Sequence, residues 1–141
     1  MQIKKIDHIT IQTTQIEKML SWYMQILGLR NGVRSDISSL CFRLYAGDTV
    51  VIHLVEIDGQ PAVGSERKLK LEHFAFNALG AIDFEDKLNE LQQKYRRFLH
   101  KDTDTVFYHI WDPDGNHIHV DFPAAELNHT AIQYEDNLAS S

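Results

Sequence analysis

Apolar and polar residues alternate through Ile6-Asp7-His8-Ile9-Thr10-Ile11-Gln12, with Ile9 and Ile11 on one side and His8, Thr10 and Gln12 on the other. A period of two predicts a half-buried strand. The period then lengthens. Ile16, Met19, Leu20, Tyr23 and Leu27 recur at helical spacing between Gln15 and Leu27, with Thr13 and Thr14 as caps ahead of them and Gly28 as the stop. Two strands are predicted at 38–45 and 49–57, joined by a turn at Ala46-Gly47-Asp48. Residues 58–70 carry Gly59, Pro61, Gly64 and mixed charge, which predicts a linker.

The pattern then restarts. Leu71-Glu72-His73-Phe74-Ala75-Phe76-Asn77 repeats the first strand as apolar, acid, His, apolar, small, apolar, amide. A helix is predicted over 82–95, with Phe84, Leu88, Leu91 and Tyr95 on its inner face, and a strand over 105–111. Asp112-Pro113-Asp114-Gly115-Asn116 is a strong turn signal, and a last strand over 117–122 is stopped by Pro123. Residues 124–141 are polar without a sustained apolar period, which predicts a frayed tail or a short surface helix.

Internal repeats fix architecture, and this one carries histidines. His8 recurs as His73, 65 positions on, and His53 as His119, 66 positions on. On each strand the histidine lies opposite the apolar stripe. His73, Ala75 and Asn77 share a face, as do His117, His119 and Asp121. Helices must cover the apolar faces, so the imidazoles line the other side of the sheet. Neutral imidazole is a ligand for Zn, Ni, Cu and Fe(II). A single histidine on a polar strand face is usually solvated surface. Four at repeated positions point instead to a shared metal site. His117 is a further ligand or an outer hydrogen-bond partner. His100, His109 and His129 have no counterpart in the repeat and read as surface or outer-shell residues.

Composition narrows the function. The chain has 141 residues, 43% of them hydrophobic, enough for one domain or two small fused units. A formal net charge of −6 argues against nucleic acid, which needs a basic face. No apolar stretch is long enough for a membrane span or resembles a signal peptide. The lone Cys41 rules out an internal disulfide, fits a reducing, cytoplasmic setting, and reads as a buried small hydrophobe in an apolar strand.

His8-Ile9-Thr10, the helix end from Tyr23 to Leu29, His73-Phe74-Ala75-Phe76 and the turn Asp112-Pro113-Asp114-Gly115-Asn116 together resemble the vicinal oxygen chelate superfamily over about residues 3–123. That superfamily includes glyoxalases, fosfomycin-resistance enzymes, extradiol dioxygenases and bleomycin-binding proteins. The resemblance implies an α+β fold of two tandem βαβββ modules, 3–58 and 70–123, forming a cupped mixed sheet with helices on its convex face. It implies a divalent ion (Zn, Ni, Fe(II) or Mn) in slots that fall on His8, His53, His73 and His119. It also implies a small oxygen-chelating substrate, lyase, isomerase or oxygenase chemistry, and a homodimer.

The last slot is glutamate in the family pattern and His119 here, and the second, usually acidic in glyoxalases, is His53. An all-histidine set keeps the full divalent charge but brings no carboxylate base of its own. Asp121 is the nearest candidate base, and Thr10 and Tyr108 are candidate substrate contacts, with core packing the stronger expectation for Tyr108. A fosfomycin-type transferase is the alternative, although Lys101 is the only candidate cation near the cleft for its phosphonate. A non-catalytic small-molecule or metal-binding module is the other.

Overall fold

The N-terminal alternation becomes strand β1, Ile9–Thr13, and the helical period becomes α1, Ile16–Leu27. The computed structural model describes residues 1–32, 41–59 and 71–127. Met19 and Tyr23 of α1 are fully buried, and Gly28 ends the helix in the left-handed conformation (φ 65°), its N–H bonded to the Tyr23 carbonyl. The helix has no side-chain cap. Thr13 instead accepts a bond from the Gln15 N–H at 3.1 Å, shaping the turn just ahead of it. Strands β2 (Arg30–Asn31), β3 (Cys41–Ala46) and β4 (Thr49–Glu56) complete the first unit, with Gly47 at φ 58° in the β3–β4 turn. The sheet order is β1-β4-β3-β2, with β1 and β4 parallel.

The second unit repeats this plan. Strand β5 (Phe74–Asn77) leads to α2 (Ala81–Glu90), then β6 (Arg96–His100), β7 (Thr105–Trp111) and β8 (His117–Pro123), in the order β5-β8-β7-β6. Each unit is therefore a βαβββ module with one four-stranded mixed sheet, and the chain divides into compact units Met1–Gly64 and Ser65–Ser141.

Alternation decides which face is covered. On β7, Val106, Tyr108 and Ile110 are fully buried. Phe84 of α2 packs edge-on to Tyr108 with ring centres 5.5 Å apart, and Phe122 of β8 lies 5.4 Å from Phe84. In the first unit Leu44, Ile52 and Leu54 are fully buried, and α1 packs beside β4. The histidines of β7 and β8 therefore stand on the face away from the helix.

Several sequence expectations shift. The second helix ends at Glu90, not Tyr95, because Gln92 turns left-handed (φ 54°). That reversal leaves Leu91 43% exposed and carries Tyr95 back to the core, 5.7 Å from the Tyr108 ring. Cys41 is half-buried at the start of β3, not enclosed. The short strands β2 and β6 carry no pattern that alternation detects. Parts of the expected strand at 38–45 and linker at 58–70, and most of the tail at 124–141, lie outside the described residues. Within the tail, Ala124–Glu126 forms one 3-10 turn, and Glu126 accepts bonds from the Gly80 and Ala81 N–H groups, capping α2.

The DPDGN turn has a clear physical basis. The Asp112 carboxylate accepts from the N–H groups of Asp114 and Asn116, both at 2.9 Å, and from the Asn116 side-chain amide at 2.8 Å. Gly115 sits at φ 85°, a conformation glycine takes without strain. This ring of bonds launches β8 with His117 as its first residue.

Candidate metal centre

Imidazoles gather on the face of the second unit's sheet turned away from α2. His73 directly precedes β5, and its ring stacks on that of His119 with centres 3.9 Å apart and planes 10° from parallel. His117, His119 and Asp121 share that face along β8, with Ile118, Val120 and Phe122 on the other. One ligating atom from each of His73, His117 and His119 lies within 4.8 Å of the others. Nitrogens bonded to one tetrahedral ion at about 2.0–2.1 Å stand about 3.3 Å apart. Ring adjustments on the order of 1 Å would therefore bring two of these nitrogens onto one cation, with His117 beside them.

His119 is only 9% exposed, and its Nε2 is buried without a hydrogen-bond partner. A buried polar atom with no partner is costly, and a cation would satisfy it. Burial, reinforced by His73 and His117, pulls His119 down to about 4. The ring is thus neutral at pH 7, the form that binds metal. The donor set fits a divalent ion.

Of the surface and outer-shell readings of His109, the structure favours the second. Cross-strand pairing places it opposite His119, with ring centres 3.9 Å apart and its Nδ1 3.0 Å from Nε2 of His117. Burial, with His119, His117 and His73 nearby, lowers His109 to about 4 as well. Its lack of a repeat counterpart hid it: the corresponding partner of His53 is Arg43. Glu72 also meets these rings. Its carboxylate accepts from Nδ1 of His73 and, at 2.9 Å, from Nδ1 of His117, and these bonds hold it down at about 2. The signal was the acid before each histidine in the repeat. Trp111 completes the floor, its ring parallel to His117 at 4.8 Å.

The first unit carries a smaller version. His8 stacks on His53 with ring centres 3.9 Å apart. Asp7 accepts from Nδ1 of His8 at 2.6 Å, and that bond lowers the Asp7 carboxyl. Burial lowers His53, with His8 and Arg43 adding to it. The four expected ligand positions thus fall two in each unit. Thr10 is exposed on β1, in register with His53.

Asp121 is half-buried on the imidazole face, with Oδ1 enclosed and unpartnered, and burial raises its carboxyl. It also lines a cavity of about 630 Å³ with Asn77, Thr103, Asp104 and Thr105. Tyr108 stands on the opposite face, fully buried, with its hydroxyl donating to Glu85 at 2.5 Å. That placement puts it in the core and away from the imidazoles. His100 is exposed and bonded to Thr103 at 2.9 Å. His129 lies outside the described residues.

A family model described as the Glyoxalase/Bleomycin resistance protein/Dioxygenase superfamily matches residues 5–120. Solved structures share the fold. A glyoxylase/bleomycin resistance protein/dioxygenase domain from Frankia sp. EAN1pec has a TM-score of 0.69 at 15% identity, covering 86% of this chain and 93% of that one. Virulence protein STM3117 from Salmonella typhimurium gives 0.60 at 18%, covering 86% and 98%. The fosfomycin resistance protein FosX from Listeria monocytogenes, complexed with Mn(II) and sulfate, gives 0.62 at 15%, covering 86% and 93%. No curated protein matches the sequence.

Proposed function

The chain belongs to the Glyoxalase/Bleomycin resistance protein/Dioxygenase superfamily, and from that premise we propose that it is a divalent-metal-dependent enzyme acting on a small molecule with neighbouring oxygens. The observation that carries this is the group His73, His117 and His119, within 4.8 Å of one another, with Nε2 of His119 buried and unpartnered. His73 and His119 are the proposed ligands in the second unit and His8 and His53 in the first. His117 stands beside the pair of the second unit, bonded to Glu72 and His109. Imidazole donors favour zinc, nickel or iron over manganese.

A bound ion would supply Lewis-acid polarisation of a substrate oxygen. The chain's own residues would do the rest. Asp121, raised by burial, is the proposed base on the imidazole face. Thr10 offers a hydroxyl beside His53. Lyase, isomerase and oxygenase chemistries all suit this arrangement. The protein is proposed to act as a homodimer.

Metal analysis of protein purified without a histidine tag tests the reading. The parent is expected to carry close to one ion per chain, and His73→Ala and His119→Ala to lose it. Variants that keep the parent's metal would place the site elsewhere.

A fosfomycin-type transferase is the second reading, favoured by one observation. Arg43 pairs across the sheet with His53, a cation beside the imidazoles that a phosphonate would need. Metal-dependent consumption of fosfomycin and a thiol, lost in Arg43→Ala, would support it over the first.

A further inference from the structure

We propose that Glu72 is a positioning residue: one carboxylate sets the tautomers of His73 and His117 together, presenting Nε2 of His73 as a bare lone pair and committing His117 to His109. The metal-facing half of this inference rests on the metal-centre reading above.

An ionised carboxylate can only accept. Both Glu72 oxygens meet an Nδ1, Oε2 that of His73 and Oε1 that of His117. Each Nδ1 must therefore carry the proton, and in the neutral ring each Nε2 is left with a lone pair. For His73 that lone pair is free to bind an ion. For His117 it faces Nδ1 of His109 at 3.0 Å, so His109 donates and keeps its own Nε2 bare. The chain Glu72–His117–His109 thus occupies both nitrogens of His117. His73 and His119 are then the metal-facing pair, and His117 ties Glu72 to His109 beside them. His117 is 15% exposed by side chain and lies flat on Trp111, which holds its plane for this bonding.

An exposed acid beside a histidine is ordinarily a weak surface pair. Glu72 differs because one side chain serves two rings 44 positions apart in the sequence, one just before β5 and one at the start of its partner strand β8. In the first unit, Asp7 serves His8 in the same way, through a single bond. Carboxylate partners of metal-bound imidazoles fix ring orientation and raise ligand basicity, and their loss typically weakens metal binding ten- to hundredfold.

The test uses the full chain, ¹⁵N-labelled at histidine and stripped with a chelator, observed by long-range ¹H–¹⁵N NMR at pH 7.5, followed by zinc titration. His73, His109 and His117 are expected to be protonated at Nδ1. Glu72→Ala should return His73 and His117 to mixed tautomers and weaken zinc binding ten- to hundredfold. Glu72→Gln, with a single acceptor oxygen, should rescue one ring and give an intermediate affinity. His117→Ala should weaken zinc less than His119→Ala. Unchanged tautomers in Glu72→Ala would overturn the proposal whatever the zinc result. Equal zinc loss in His117→Ala and His119→Ala would overturn the relay. The expected tautomers in a parent that takes up no zinc would support the positioning role and overturn the metal-centre reading alone.

Discussion

Tyr108 and His109 are neighbours on β7 and belong to opposite faces of it. The Tyr108 hydroxyl donates to Glu85, which Arg97 also holds at 2.7 Å, within the helix-covered core. Tyr108→Phe should therefore cost about 1–2 kcal/mol in urea unfolding while leaving metal affinity unchanged. A change in affinity without a change in stability would move Tyr108 to the site. His109 and His119 predict a pH dependence with a definite sign. Both are held at about 4 in the folded chain, below the ordinary histidine value. Between about 6.5 and 4 the unfolded chain takes up protons that the folded rings refuse. Metal-free protein should thus be fully stable above about pH 6.5 and lose stability as pH falls towards 4. Urea midpoints at pH 7.5, 6 and 5 would show it, and His109→Phe should flatten the slope.

At the scale of elements, the turn before β8 sets where the histidines of that strand begin. Asp112 accepts three hydrogen bonds inside it and is buried. Asp112→Ala should destabilise the chain by about 2–3 kcal/mol, read from the urea midpoint, with Asp112→Asn recovering part of the loss. This turn was legible because Asp, Pro, Gly and Asn each have a specific use in turn geometry. Strand β6 was not legible. Its inward position at Arg97 is charged and is satisfied by Glu85, while the apolar Phe98 points outward and is 40% exposed. A hydrophobic period cannot reveal a strand whose inner face is neutralised by an ion pair. Helix α2 was overextended for a related reason. Leu91 and Tyr95 continue the helical spacing, and only the left-handed turn at Gln92 breaks it.

At the scale of the molecule, the chain is one plan used twice. Two βαβββ units, each with its own buried core, account for the offset of 65 to 66 positions between histidines. No helix among the described residues is long and apolar enough to cross a membrane. The proposed homodimer predicts a mass by light scattering of twice the 16.3 kDa chain. A monomer that retains its metal would overturn that assembly.

The sequence by itself determined the repeat, the faces of the strands, and the positions of His8, His53, His73 and His119, because alternation and spacing are local properties of a chain. Tertiary structure decided what stands beside them. It brought Glu72, just ahead of β5, to His117 on β8 and His109 to His119 across a hairpin, and it sent Tyr108 to the core. Hydrogen bonds of that kind depend on register and ring orientation, which follow from how the strands pair and not from any local period.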